Sequence, residues 1–361
     1  MEKYYLAAMG GAEGFGNRSI ALLVKYFGSA KVAWEADVAE LMKAGVRRNS
    51  LEAFITFRHN HPDAPDKLVG YCDRQRISLC SIFDEDYPPL LKEIDTAPVF
   101  FYYRGRLEPQ AQRIGIVGSR HNTAYGENVA LELGRDLATA GLTVVSGAAR
   151  GIDSFAHRGA LKSGRTVAVL GCGINIIYPP ENKKLLEQII ERGVVLSEFH
   201  PQMPPSSGTF PARNRIIAGL SLGIIVVEAC TKSGALITSE YAGNFGRDVF
   251  AIPGHIYAEK SEGCNELIRD GATLIKSAQD VLNEYNIVPR TKTEPAAQIP
   301  LDDTAAQVLK AIPFDRYVSD EEILMQVEDI NPNELPTIMI ELDMKGYVIE
   351  DAGRYKRKLG G

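Results

Sequence analysis

Short, continuous apolar runs separated by amphipathic stretches dominate the middle of the chain. Ile114–Val117, Thr143–Ser146, Thr166–Leu170, Val194–Ser197, Ile224–Glu228 and Val249–Ile252 each read as a strand. Runs rich in Val and Ile without polar alternation belong to strands covered on both faces. Between them the pattern turns helical. In Tyr125–Ala140, Val129, Leu133 and Leu137 recur every four residues and make one apolar face. Strand and helix alternating in this way predict an α/β fold, a Rossmann-like doubly wound parallel sheet over residues 76–285, with ligands beyond the carboxyl ends of its strands.

The flanks follow other patterns. Residues 1–75 carry apolar clusters at helical spacing, Leu22-Leu23-Val24, Ala33-Trp34 and Leu51-Phe54-Ile55, interrupted by Gly10-Gly11, Gly14, Gly16 and Gly28. They predict a small helical domain of the sterile-alpha-motif or helix-hairpin-helix kind, equally suited to packing or to DNA contact. Residues 286–300, punctuated by Pro289, Pro295 and Pro300, read as a linker. Beyond them, Thr304–Ile312, Glu321–Val327 and Asn331–Lys345 predict helices. Tyr347–Glu350 and Gly353–Lys356 predict a hairpin, completing a winged-helix domain over 301–361.

Composition adds exclusions. The 361 residues are 45% hydrophobic and 24% charged, ordinary for a globular protein. The apolar runs have strand length rather than membrane length, and the N-terminus lacks a basic-then-apolar signal pattern, so a cytoplasmic, non-membrane protein is expected. Five cysteines without a CxxC pair and six histidines without metal spacing predict free thiols, no metal and no cofactor. The net charge of −6 resides entirely in residues 301–361, where 13 acidic face 7 basic side chains. That leaves the basic turns of the middle region as the candidates for nucleic-acid contact and counts against the C-terminal segment. Glu334, Glu341 and Asp343 on the third C-terminal helix favour a protein contact over duplex reading, although Arg354–Lys358 is basic.

Those turns carry the chemistry. Gly118-Ser119-Arg120, Ser146-Gly147 with Arg150, and Lys232-Ser233-Gly234 each follow a strand and lead towards a helix. Helix starts expose amide groups and a positive dipole end, and small residues let an anion approach. Each turn alone is also what tight packing requires. Three at one sheet edge favour a chain of phosphates. The first turn departs from GxGxxG, no acid ends the second strand, and GxxxxGK[ST] is absent, which disfavours dinucleotides and ATP hydrolysis. Arg213, Asn214 and Arg215 precede an apolar helix face and serve either a ligand or a structural ion-pair and cap cluster. His157, four residues after Asp153, is expected to bond to Asp153 or to the backbone, and Cys172 to be an exposed loop thiol.

Together, Gly118-Ser119-Arg120, Ser146–Asp153 with Ala156-His157, Phe210–Ile217, Ser233–Thr238, Val249–Gly254 and Ser261–Asn265 resemble the DNA processing protein A family, DprA or Smf. The resemblance covers the α/β region closely, and the flanking domains fit the long form of the family. It implies a non-enzymatic single-stranded-DNA-binding protein of natural transformation. Such a protein protects incoming strands, loads the RecA recombinase and dimerises through the α/β domain. Gly118, Ser119 and Arg120 carry over as the pocket's centre, with Arg120 stacking on a base. Ser146, Gly147, Arg150, Arg213, Asn214, Lys232, Ser233 and Gly234 stand as neighbouring contacts. Two rival readings stay open: a nucleotide-hydrolysing enzyme of a related fold, and a scaffold acting through protein contacts.

Overall fold

The structure, a computed structural model, describes residues 1–288, 301–314, 316–327, 330–351 and 353–357. The expected linker therefore lies almost wholly outside the described residues, as does Lys358 of the basic C-terminal run. Among the described residues no helix is long and apolar enough to cross a membrane.

Six helices come first: α1 (Glu2–Met9), α2 (Asn17–Phe27), α3 (Ala30–Glu35), α4 (Val38–Leu41), α5 (Arg48–Asn60) and α6 (Ala64–Gln75). Ser29 caps α3 by accepting the Val32 amide. Glu2 then ties α1 to that cap, accepting from Ser29 Oγ at 2.8 Å and the Ala30 amide at 2.7 Å. Inside, Phe54 stacks on Phe15 and takes the edge of Trp34. The apolar cluster does not stop at residue 75: Leu79, Phe100 and Tyr102 of the first strands belong to it.

The chain continues through β1 (Ser78–Ser81), α7 (Pro89–Lys92), β2 (Phe100–Gly105), β3 (Arg113–Val117), α8 (Ala124–Thr139), β4 (Thr143–Ser146), α9 (Ile152–Ser163), β5 (Thr166–Val169), α10 (Lys183–Arg192) and β6 (Val194–Ser197). It then forms α11 (Thr209–Leu220), β7 (Gly223–Val226), α12 (Gly234–Asn244), β8 (Asp248–Ala251), α13 (Glu262–Arg269), β9 (Thr273–Leu274) and α14 (Ala278–Glu284). These strands make one sheet of order β1-β2-β6-β5-β4-β3-β7-β8-β9. It is parallel from β6 to β9, while β1 and β2 join antiparallel. The fold is the expected Rossmann-like α/β sheet with an antiparallel edge that the apolar runs did not disclose. From β3 the chain winds through β4, β5 and β6, then returns to place β7 on β3's other side. The carboxyl ends of β3 and β7 thus form the topological switch point where doubly wound folds open a crevice. Alternate strand residues feed opposite layers: Val117, Val145 and Val169 pack with α11 and α12 residues, Ile116 and Val144 with α8 and α9 residues.

The last segment comprises α15 (Asp303–Ala311), β10 (Val318–Ser319), α16 (Asp320–Leu324), α17 (Leu335–Met344), β11 (Val348–Asp351) and β12 (Arg354–Arg357), its strands ordered β10-β12-β11. It meets α8 directly: Asn128 Nδ2 donates to the Phe314 carbonyl at 3.0 Å, and buried Lys356 reaches the Ala124 carbonyl at 3.4 Å.

Candidate nucleic-acid interface

The turn after β3 is locked by its neighbours. The Ser119 amide donates to the Glu228 carbonyl at 2.7 Å, and the Ser119 carbonyl accepts the Ile152 amide. Ser119 Oγ accepts from the His121 amide at 3.2 Å. At the start of α8 the Glu228 carboxylate accepts the Thr123 amide at 2.9 Å and the Thr123 hydroxyl. That helix start therefore holds a carboxylate of the protein's own, in the place where the sequence suggested free amides for phosphate.

The second turn repeats the device. Asp153 Oδ2 accepts the Gly147 amide at 3.1 Å and the Ala149 amide at 3.3 Å. Ser146 is fully buried and its hydroxyl donates to the Ile116 carbonyl. Arg213 is 3% exposed and gives Nη1 to the Gly147 and Val169 carbonyls. A Cβ at Gly147 would lie 2.4 Å from that guanidinium, so a larger residue would have to push Arg213 off its carbonyls. Gly151 has φ +74, and a Cβ there would sit 2.3 Å from the Ser119 carbonyl, so the first and second turns pack without a side chain between them. Asn182, which belongs to none of the sequence motifs, holds the turn by donating to the Ala148 carbonyl and Ser154 Oγ.

Burial sets the electrostatics beneath the turns. Desolvation raises the Asp153 carboxyl above its usual range, against the pull of Arg213. Desolvation also lowers the Arg213 guanidinium to about 10, opposed by Asp153. His157 is fully buried and is pushed down to about 3 by burial and then by Arg213. Its Nδ1 lies 2.6 Å from Thr166 Oγ1 rather than on Asp153. Cys172 corrects a further expectation: the thiol is buried, donates to the Ile176 carbonyl and is pushed up to about 11 by burial.

What remains free faces an open cleft of about 850 Å³ at the switch point. Gly118, Ser119, Arg120, Arg213, Asn214, Lys232, Ser233 and Gly234 line it together. Ser146 does not, while Gly147 and Arg150 line a smaller adjoining cavity. Arg150 is paired with Glu181 there. Asn214 Nδ2 donates to the Gly234 carbonyl at 3.2 Å, and Ser233 Oγ accepts the Ala235 amide, so both partly serve the start of α12. Arg120 is exposed and lies 5.0 Å from the centre of the Phe210 ring. Phe210 in turn packs beside Tyr178, centroids 5.5 Å apart. Neither Arg120 nor Lys232 has an ion pair among the described residues. Phe210 sat in the arginine-asparagine-arginine segment, where an aromatic just ahead of the basic pair was the available signal. Tyr178 left none.

This cleft can take an anion on Arg120 and Lys232 and a planar group on Phe210 and Tyr178. The match to the family model for DNA recombination-mediator protein A runs over residues 78–286, the whole sheet with its cleft. The chain belongs to the DNA recombination-mediator protein A family. Protein Smf of Synechocystis is 39% identical over 295 residues, 80% of this chain and 74% of that protein. The crystal structure of DNA processing protein A from Streptococcus pneumoniae aligns with a TM-score of 0.71 at 38% identity, covering 79% of this chain and 98% of that one. The Helicobacter pylori protein, described for its single-stranded-DNA binding mode, aligns with a TM-score of 0.54 at 30% identity, covering 58% and 96%. Family membership and the shared fold agree with the resemblance carried by the motifs.

Proposed function

We propose that the protein is a single-stranded-DNA-binding mediator of natural transformation that works in the cytoplasm, protects incoming strands in the switch-point cleft and delivers them to the RecA recombinase. The observation that carries this reading is the exposed Arg120 guanidinium lying on Phe210, with Lys232, which has no ion pair among the described residues, lining the same cleft. A cation beside an aromatic face takes phosphate and base without asking which base it is. The Helicobacter pylori relative described for single-stranded-DNA binding supports the assignment.

In this reading the amides of the first two turns are not the phosphate ligands. Glu228 and Asp153 hold many of them and make the turns rigid, and the exposed cationic side chains do the binding. Both carboxylates are spent on backbone and hydroxyl groups, which favours a binding protein over a nucleotide hydrolase. The three-domain division, at residues 1–75, 76–285 and 301–361, is part of the proposal. So is a homodimer formed through the α/β domain, for which the β9 edge with exposed Ile256, Tyr257 and Leu274 offers an apolar surface. Two pockets on one dimer raise avidity for a long strand.

The test is binding of a fluorescent oligonucleotide, single- or double-stranded, to wild type and Arg120→Ala at low and high salt. Preference for the single strand, loss with salt and loss in the variant are expected. Equal binding by Arg120→Ala removes the cleft from the account, and release of a free base from nucleotide restores the enzyme reading. RecA filament formation on coated single strands, with and without the protein, tests the delivery step.

A further inference from the structure

A second groove, of about 770 Å³, lies between the N-terminal helices and the sheet. Phe57 of α5, Tyr71 of α6 and Tyr102 of β2 wall it, with Leu68 and Ala8 between them. Tyr102 is almost wholly buried as a residue but lines the groove, and its hydroxyl, which has no hydrogen-bond partner among the described residues, is not sealed away from it. A phenol hydroxyl open to a groove can donate to an acceptor that a ligand brings. The rim charges, Asp63, Asp66, Lys67 and Arg74, balance one another, so the groove suits a neutral planar group and not a phosphate.

Its position says which planar group. The segment leaving β6 walls both cavities: His200 and Gln202 line this groove, while Pro205, Ser206 and Ser207 line the Arg120 cleft. Gln202 and Pro205 are three residues apart, at most about 11 Å along the chain. The two cavities are therefore neighbours across one narrow ridge, within reach of a few nucleotides of a single strand. The groove also abuts β2, next to β6 in the sheet.

We infer that this groove is a second subsite for the same strand, receiving a nucleobase between Tyr71 and Phe57 with a base acceptor on the Tyr102 hydroxyl. It rests on the reading of the Arg120 cleft as a single-strand site. It gives the helical domain a direct role in DNA contact, the alternative that its sequence left open. The strand's phosphates stay on Arg120 and Lys232, and its flanking base crosses the 200–205 ridge.

The experiment uses the full chain and oligothymidylates of about 5 and about 15 nucleotides, within the range of single-strand site sizes. Each carries 4-thiothymidine near one end or the other. Irradiation of the long oligonucleotide is expected to cross-link peptides containing Tyr71, Tyr102 or Phe57. The short one is expected to cross-link around Phe210. Tyr71→Ala is expected to lower affinity for the long oligonucleotide about tenfold, the scale of one lost stack, and to leave the short one unchanged. Tyr102→Phe, which keeps the ring and its packing, is expected to weaken the long complex by a smaller factor. Cross-links confined to the Arg120 cleft, with both variants binding the long oligonucleotide like wild type, overturn the second subsite and leave the first intact. Failure of wild type to bind the short oligonucleotide overturns the first site and this inference with it.

Discussion

The guanidinium of Arg120 lies 5.0 Å from the ring centre of Phe210, on an open face of the cleft. Arginine stacks as well as charges, and the ring holds it ready at little entropic cost. Arg120→Ala and Phe210→Ala are each expected to lower single-strand affinity by about 1–3 kcal/mol, the cost of a lost stack. Arg120→Lys should recover only part of the loss, since an ammonium does not stack. Fluorescence anisotropy with a short oligonucleotide reads all three. Thermal melting should leave Arg120→Ala at the wild-type midpoint, because the side chain is exposed and has no ion pair among the described residues.

The α/β fold and the cleft's location were legible because buried strands announce themselves as Val and Ile runs, and the switch point follows from their winding. The parallel strands β3 to β8 fell within a few residues of expectation, while β9, only two residues long, was not foreseen. β1 and β2 were missed for a physical reason: β2 (Phe100–Gly105) is aromatic rather than β-branched, and β1 is short and mixed. The site residues divide the same way. Glycine turns beside basic residues marked loops that line the cleft or the cavity adjoining it. Sequence could not tell a ligand's anion from the protein's own, and at the first two turns Glu228 and Asp153 take that place. Nor could it show that Arg213 turns inward to two carbonyls while Arg120 stays out.

Lys232 has no ion pair among the described residues, so its contribution to strand binding should be that of a point charge, electrostatic and indifferent to base identity. Lys232→Ala is expected to weaken oligothymidylate and oligoadenylate alike. It should also make the slope of log affinity against log salt shallower by about 0.7, the release of one counterion from a single strand. Titrations across a salt series measure that slope. An unchanged slope would place Lys232 off the strand's path.

Arg213 should behave as a pillar of the fold. Replacing it with Met leaves the Gly147 and Val169 carbonyls without their donor and strips Asp153 of its facing charge, deep in the protein. Removing one member of a buried charged group costs about 3–5 kcal/mol. Arg213→Met is therefore expected to lower the denaturant midpoint sharply. Adding Asp153→Asn should return part of the loss, because the uncompensated carboxylate goes with it. A stable Arg213→Met protein that fails only in DNA binding would reverse this assignment.

His157 gives stability a pH dependence of definite sign. Thr166 Oγ1 donates to the Val144 carbonyl, so it accepts from His157 Nδ1, which must carry the proton. Nε2 is then a buried nitrogen without a partner among the described residues, and a proton there would face Arg213. In the unfolded chain the ring takes a proton near pH 6.5, but in the native protein only near 3. Between those values the unfolded state binds the extra proton, so native stability falls as pH drops, by about 1.4 kcal/mol per unit for this one group. Asp153 works in the opposite direction, because its raised native carboxyl takes up a proton before the unfolded one does. Comparing wild type with His157→Gln separates the two. The variant is expected to lose stability more slowly than wild type between pH 6.5 and 5, by one proton's slope, in urea unfolding followed by circular dichroism. Parallel curves over that range would mean that the native imidazole ionises as freely as the unfolded one.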